Sequence, residues 1–151
     1  MSEPVRISVQ VRYAETDQQG VAYHSHYLVW MEIGRTAFLD AVGFPYRQIE
    51  AEGVAFSVVA ARVRYGGAAR YGETVEVITR CRSVRSREVV FDYTLQVGAR
   101  PIAQGETTLI ALDGDRRPCR IPAPVVEALL NRAGGPAIYE RSNPGRSQPA
   151  A

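Results

Sequence analysis

A short stretch near the start of the chain contains most of the side chains that can take part in catalysis. The sequence YAETDQQGVAYHSHY, Tyr13 to Tyr27, holds both histidines of the chain, a Thr-Asp pair, a glycine and three tyrosines. Asp17 is followed by two glutamines and Gly20, a composition typical of a loop. A carboxylate in such a loop can act as a nucleophile or as a general base. We interpret Tyr13, Tyr27 and Trp30 as packing residues.

The start of the helix that follows adds a second chemical element. A helix N-terminus presents unpaired backbone N–H groups and a positive partial charge, which together stabilise a developing oxyanion. If Asp17 lies opposite this end, its carboxylate stands beside a carbonyl group held by the amides around His24, Ser25 and His26. A carboxylate and an oxyanion site are the minimum that acyl transfer requires.

Hydrophobic spacing predicts the elements that hold these residues. Strict alternation in VRISVQVR, from Val5, predicts a half-buried strand, and helical spacing begins at His26. The helix is apolar over most of its circumference, so we expect it to be largely enclosed. We expect Ser25 to cap its start and Gly43, in GFP, to end it. Gly34 in mid-helix indicates that a strand backbone passes close by.

The rest of the chain is patterned as strands, with two further helices. Four long segments joined by short turns, the first a Gly-rich turn at Gly66 and Gly67, predict antiparallel hairpins. Short helices are expected at Tyr46 to Glu52 and at about Ala123 to Arg132. This order predicts an α+β fold in which a long central helix is wrapped by a five-stranded antiparallel sheet. We expect a single domain over residues 1–138 and a flexible tail over residues 139–151. The exposed sheet edge favours a homodimer or a dimer of dimers.

Composition excludes several classes of function. The chain has 151 residues, a net charge of +2 and no lysine, which excludes Schiff-base chemistry and a P-loop lysine. Its dispersed arginines form no nucleic-acid-binding face, and we expect no membrane span. Two isolated cysteines imply neither a disulfide nor a zinc site, so we expect a cytoplasmic protein without metal or cofactor.

The full constellation resembles a known enzyme family. The motif Y-x-x-T-D-x-x-G-V-x-Y-H-x-x-Y followed by W-M-E-x-x-R is similar to that of the hotdog-fold acyl-CoA thioesterases. The similarity is to the 4-hydroxybenzoyl-CoA thioesterase-like family, which includes the Tol-Pal-associated acyl-CoA thioesterases. It covers Val5 to about Leu130, including RVRYGGAARYGETVEV. It implies a dimeric hotdog domain that hydrolyses acyl-CoA to a free acid and coenzyme A.

The resemblance also implies roles for individual residues. Asp17 corresponds to the family's catalytic aspartate, as nucleophile or general base, and Tyr23 and His24 to the pair beside it. The amides at the helix start correspond to the site that polarises the thioester. The two glutamines after Asp17 depart from the smaller residues often found there and are expected to alter the pocket entrance. Three arginines are candidates for binding the coenzyme A phosphates: Arg64, Arg70 and Arg87.

Other interpretations stay open. The spacing of His24 and His26 suggests metal binding only if further ligands come from elsewhere in the fold. Glu32 is a candidate helix-borne nucleophile, although an ion pair with Arg35, three residues on, is favoured. A hotdog hydratase acting on enoyl or 3-hydroxyacyl thioesters would use the same residue types. A non-catalytic acyl-CoA-binding protein would keep the pocket without turnover.

Overall fold

The structure is a computed structural model that describes residues 3–133. Its elements, in chain order, are β1 (Val5–Gln10), a 3₁₀ turn (Tyr13–Glu15), α1 (His26–Ala41), α2 (Tyr46–Ala51), β2 (Ala55–Tyr65), β3 (Thr74–Val84), β4 (Glu88–Val97), β5 (Arg100–Leu112) and α3 (Ala123–Leu130). Among the described residues, none of the helices is long and apolar enough to cross a membrane. The predicted tail, residues 139–151, lies outside the described part of the chain.

The five strands form one antiparallel sheet in the order β1-β3-β4-β5-β2. The long helix α1 packs on one face of this sheet, against β1, β3 and β4. Alternate residues of β4, including Phe91, Tyr93 and Leu95, are buried in the same core cluster as Trp30 and Phe38 of α1. The predicted α+β hotdog fold, a long helix against a five-stranded antiparallel sheet, is therefore confirmed.

One predicted connection is wrong. The sequence predicts a hairpin turn at Gly66 and Gly67, but β2 pairs with β5, whereas β3 pairs with β1 and β4. Residues 66–73, called here the crossover segment, therefore cross the end of the sheet. The amides of Gly66 and Gly67 both donate to the Ile102 carbonyl oxygen, and a Cβ on Gly67 would lie 3.2 Å from the Pro101 carbonyl oxygen. Close backbone approach, not a tight turn, explains the glycine at Gly67.

Helix α1 approaches β3 most closely at Gly34. The side chains of Val77 and Thr79 occupy the space that a Cβ would need there, and Val77 Cγ1 would lie 2.8 Å from it. The sequence correctly indicates a close approach at this position, but β3 makes it with side chains and not with its backbone. Thr79 Oγ1 is buried and has no hydrogen-bond partner within residues 3–133.

We expect Gly34→Ala to lower the free energy of unfolding by about 1–2 kcal/mol. Overpacking costs about 1–3 kcal/mol, and the higher helix propensity of alanine offsets up to about 1 kcal/mol of it. Denaturant unfolding measures the change. Adding Thr79→Ala to the same chain removes the crowded hydroxyl but leaves the Val77 contact, so the double variant should recover part of the loss. A single variant as stable as the wild type would show that the contact at Gly34 is not restrictive.

The predicted enclosure of α1 is only partly correct in the single chain. Tyr27 and Trp30 are 2% and 1% exposed, so their assignment to packing is confirmed. Tyr13 is 77% exposed, and its ring forms a T-shaped pair with the exposed ring of Tyr71, with centroids 5.7 Å apart, so its assignment to packing is wrong. One apolar strip of α1 is 39–46% exposed: Leu28, Val29 and Ile33. The sheet covers one side of the helix and leaves this strip open.

Candidate active site

Asp17 lies in a tight loop between the 3₁₀ turn and α1. Its amide donates to the Val21 carbonyl oxygen at 2.9 Å, and its own carbonyl oxygen accepts from Gly20, whose φ of 78° suits glycine. The side-chain Oδ1 accepts a 2.8 Å hydrogen bond from the Gln19 amide. Within residues 3–133, Oδ2 has no hydrogen-bond partner. One carboxylate oxygen therefore holds the turn, and the other is available for chemistry.

Helix α1 begins without the side-chain cap predicted for Ser25. This residue has helical backbone angles, φ −67° and ψ −24°, and its hydroxyl makes no capping hydrogen bond. An N-cap side chain normally needs extended backbone, which is why the prediction is wrong. The amides of His26 and Leu28 donate to the carbonyl oxygens of Tyr23 and Ser25, at 3.0 and 3.2 Å. In the described part of the chain, the amides of His24 and Ser25 have no hydrogen-bond acceptor.

A cleft of about 300 Å³ brings the three residues predicted to be catalytic together. Six of the residues that line it are Asp17, Tyr23, His24, Tyr27, Tyr65 and Gly67. The rings of Tyr23 and His24 are in contact, with centroids 4.3 Å apart. Asp17 also borders a second cavity of about 430 Å³, on the side of Tyr13. Asp17 thus borders two cavities.

Two tyrosines hold the walls of this cleft. The Tyr65 hydroxyl donates to the His24 carbonyl oxygen at 2.9 Å, and the Tyr27 hydroxyl donates to the Gly67 carbonyl oxygen at 3.5 Å. Burial raises the pKa of both phenols, so both remain protonated donors at neutral pH. Tyr65, which joins the end of β2 to the start of α1, is not predicted as a site residue from the sequence. Its only signal is its place in the segment RVRYGG, before the crossover segment.

Arg100 is a second residue that sequence analysis missed. Its Nη1 donates to the Ala68 carbonyl oxygen at 2.6 Å, and its Nη2 donates to Glu73 Oε2 at 3.3 Å. Glu73 Oε1 in turn accepts from the Arg70 amide at 2.7 Å. These bonds tie the crossover segment to β5. No sequence pattern reveals them, because they join residues 27 and 32 positions apart.

Glu15 is the third missed residue, and it is only 3% exposed. Its Oε1 accepts from the Arg12 amide at 2.8 Å, and its Oε2 accepts from the Trp30 indole at 3.0 Å. Arg12 Nε lies 3.5 Å from Oε1, and His26 Nδ1 lies 4.0 Å from Oε2. Burial alone would raise the pKa of this carboxyl, but the hydrogen bonds and the guanidinium outweigh it and hold the pKa below its ordinary value. Glu15 is therefore ionised at neutral pH.

The three candidate arginines lie at different ends of the sheet. Arg64 precedes Tyr65 at the end of β2 and lines a separate cavity with Pro101 and Gln104. Arg70 is exposed in the crossover segment, whose Gly67 lines the cleft. Arg87 is exposed in the turn between β3 and β4. Since β1 ends where β3 begins, this turn is one full strand of about 30 Å away from the Asp17 loop. Within one chain, Arg87 is not brought to the cleft.

Glu32 lies apart from the Asp17 cleft. It lines a different cavity of about 220 Å³ with Arg35 and a floor of apolar side chains, and Asp17 does not border this cavity. Within residues 3–133, no ion pair joins Glu32 to Arg35, so that prediction is wrong. The positive charge of Arg35 instead acts on the buried Tyr93 hydroxyl, where it opposes the rise in pKa that burial causes, and this hydroxyl bonds Thr107 Oγ1 at 2.6 Å.

The two histidines have different surroundings. His24 lines the cleft, whereas His26 is not part of its lining and has Nδ1 directed toward Glu15. No group of three or more His, Cys, Asp or Glu side chains is arranged to hold a metal ion among the residues that the structure describes. Cys81 is fully buried, and burial with the nearby Asp92 carboxyl raises the pKa of its thiol to about 12. It is therefore not a thiolate nucleophile.

Comparison with protein families gives a match over most of the chain. The model of the thioesterase-like superfamily matches residues 11–129. YneP of Bacillus subtilis is 45% identical over 85 residues, a match that covers 56% of this chain and 62% of YneP. The acyl-CoA thioester hydrolase YbgC of Escherichia coli O157:H7 is 37% identical over 86 residues, covering 57% of this chain and 64% of YbgC. These matches span less than two thirds of the length of either relative.

Comparison with solved structures gives the same architecture. The crystal structure of a hypothetical protein, TT1821, from Thermus thermophilus has 40% sequence identity to this chain and a TM-score of 0.81. The superposition covers 83% of this chain and 97% of TT1821. The sheet and the central helix are therefore shared over nearly the whole of that protein.

Proposed function

The chain belongs to the thioesterase-like superfamily, and from this membership we propose that it hydrolyses the thioester bond of an acyl-CoA to a free acid and coenzyme A. The resemblance drawn from the motif around Asp17 is thereby confirmed at the level of the family. YbgC, named as an acyl-CoA thioester hydrolase, supports the choice of an acyl-CoA substrate.

One observation carries the proposal: Asp17 and His24 line the same cleft, and each offers a group without a partner in the described chain. For Asp17 this group is the carboxylate Oδ2, and for His24 it is the backbone amide. We propose that the amides of His24 and Ser25 hold the thioester carbonyl oxygen and stabilise the oxyanion that forms there. The Asp17 carboxylate would then lie in the same cleft as the carbonyl carbon of the thioester.

Two routes for the chemical step use these groups. In the first, Asp17 Oδ2 attacks the carbonyl carbon, the C–S bond breaks with its electron pair leaving on sulfur, and water hydrolyses the resulting mixed anhydride. In the second, Asp17 takes a proton from a water molecule that attacks the carbon directly. The leaving thiol is expected to have a pKa near that of cysteine, about 8.5, so neither route needs a strong general acid. His24 orients Asp17 or the water, and Tyr23 packs beside it.

The proposed chemistry needs neither metal nor cofactor, and its substrate contacts come from the chain itself. Arg70, exposed in the crossover segment, and Arg64, exposed at the end of β2, are the candidates to bind coenzyme A phosphates at this chain's own site. We place the reaction in the cytoplasm, since Cys81 and Cys119 are both free, which fits a reducing compartment.

A panel of acyl-CoAs with short aliphatic, long aliphatic and aromatic acyl groups tests the proposed activity. Release of free thiol identifies hydrolysis, whereas a hydratase would change absorbance at a double bond without releasing thiol. A protein that binds the panel without either change would be an acyl-CoA-binding module. Thiol release with at least one acyl group is the expected result.

We also propose that the active form is a homodimer joined through β2 and the open strip of α1. Strand β2 is a sheet edge of 11 residues, and unpaired edges favour pairing with a second strand. Val58 and Val59 on this edge are 45% and 54% exposed. The apolar strip of α1, defined above by Leu28, Val29 and Ile33, is open as well. A second copy would cover apolar groups on both elements.

The mass in solution tests this assembly. Light scattering at micromolar concentration should give at least twice the 16.6 kDa of one chain. Val58→Glu should shift the mass toward the monomer, because Val58 is half-exposed in one chain and would be buried in the dimer. Gln10→Glu, on the opposite edge strand β1, is the matched control and should leave the mass unchanged. A fully active protein of monomer mass would refute the proposal.

A further inference from the structure

Glu15 is a buried carboxylate that the proposed chemical step does not use. It lies two residues before Asp17, but it is not part of the lining of either cavity that Asp17 borders. A buried charge is costly unless it is paired and hydrogen-bonded. Glu15 is nevertheless only 3% exposed, so its charge must be stabilised by its contacts, and those contacts join specific parts of the fold.

The contacts of Glu15 join three parts of the site. Its Oε1 binds the Arg12 amide just after β1, and its Oε2 binds the indole of Trp30 in α1. Its backbone carbonyl oxygen accepts from the Tyr23 amide at 2.8 Å, directly before the unpaired amides at the helix start. The Asp17 loop runs between these fixed points. Without the hydrogen bond between Glu15 and Trp30, the Asp17 loop and the start of α1 could move relative to each other.

We propose that Glu15 is a positioning residue that sets the distance between the Asp17 carboxylate and the amides at the start of α1. It acts through Trp30 and the Asp17 loop without touching substrate. Its ionised form is the better acceptor for all of its donors, since hydrogen bonds to a charged group are stronger than neutral ones. The kinetic test of this inference rests on the proposed function, whereas the hydrogen-exchange test does not depend on that function.

Glu15→Gln is the direct test. The amide has the size of the carboxylate, but its NH₂ group would face the N–H of Arg12 or of the Trp30 indole, so one of these two hydrogen bonds is lost. We expect kcat to fall about 10-fold to 100-fold with KM nearly unchanged, since small misplacements of reacting groups cost up to about 100-fold. Hydrogen exchange at the amides of Asp17 and Tyr23 should speed up about 10-fold, a change equivalent to about 1.4 kcal/mol. Emission from Trp30, the one tryptophan of the chain, should change as well.

Glu76→Gln is the matched control. Glu76 is a glutamate of the outer sheet surface, paired with Arg6 at 2.8 Å, and its loss should change none of the three measurements. A folded Glu15→Gln protein with wild-type kcat and wild-type exchange in the Asp17 loop would overturn the proposal. So would a fall in kcat that the Glu76→Gln control shares.

Trp30→Phe keeps the test decisive if Glu15→Gln does not fold. It keeps an aromatic side chain beside the carboxylate but removes the indole N–H donor, so kcat should fall about 5-fold, as expected for one lost hydrogen bond of about 1 kcal/mol. Unchanged kcat and exchange in this variant would refute the inference. If the wild type hydrolyses no acyl-CoA, the proposed function fails. In that case the exchange rates at Asp17 and Tyr23 still decide the role of Glu15.

Discussion

Replacing Asp17 with asparagine is expected to slow acyl-CoA hydrolysis at least about 100-fold while leaving the fold intact. Asparagine keeps Oδ1 as the acceptor for the Gln19 amide, so the turn is preserved. It replaces the unpartnered Oδ2 with an NH₂ group, which is neither a nucleophile nor a base. The variant should still bind a non-hydrolysable acyl-CoA analogue, and kcat measured at saturating substrate reports the loss.

Asp113→Asn is the matched control for this experiment. Asp113 makes a turn of the same type, with its Oδ1 accepting from the Asp115 amide at 2.9 Å, in the loop after β5. Its replacement should leave both kcat and stability unchanged. His24→Ala should reduce kcat less than Asp17→Asn does. If Asp17→Asn retained near-normal kcat, the catalytic role would lie elsewhere, and Glu32 would be the next residue to replace.

Phe38→Ala is expected to lower the free energy of unfolding by about 3–5 kcal/mol, the range for a buried phenylalanine. Phe38 is fully buried on α1, and its ring meets the edge of the Phe91 ring with centroids 5.5 Å apart. The guanidinium carbon of Arg132 lies over the Phe38 ring, 5.5 Å from its centroid. Truncation would leave a cavity between helix and sheet and remove both contacts. Denaturant unfolding with an unchanged m-value measures the effect.

Two controls separate cavity formation from loss of an aromatic ring. Phe38→Leu fills part of the space and should cost less than Phe38→Ala. Tyr71→Ala removes a ring that is 65% exposed and should change the free energy of unfolding by no more than about 0.5 kcal/mol. A loss below about 1 kcal/mol for Phe38→Ala would mean that α1 and the sheet close over the gap.

The helices and strands of this fold are well predicted from the sequence, because the spacing of apolar residues along a short segment reflects the local secondary structure. The alternation from Val5 and the helical spacing from His26 correspond to the observed elements β1 and α1. Alternation does not say which strands are neighbours, so the pairing of β2 with β5 was not predictable from it. The Gly-rich segment is therefore predicted as a hairpin turn, although its glycines allow the close backbone approach to Pro101 and Ile102.

The candidate site was predictable where its residues are close in the chain. Asp17, Tyr23 and His24 are separated by a few residues and line one cleft, as the motif indicates. Tyr65 and Glu15 were not predictable, because their partners come from other elements: the start of α1 for Tyr65 and Trp30 for Glu15. A charged side chain is buried only where donors or acceptors from other elements pair with it, and the residue type alone does not predict such partners.

The strand order has a consequence for how the chain reaches this structure. Val5 pairs with Thr79 and Ala55 with Leu112, so much of the sheet joins residues that are distant in sequence. Such non-local pairing requires closing long loops first, and domains of this kind fold in roughly milliseconds to seconds. During synthesis at roughly 5–20 residues per second, β3, β4 and β5 follow α1 by several seconds. The central helix of the finished domain therefore leaves the ribosome before most of the sheet that covers it has been made.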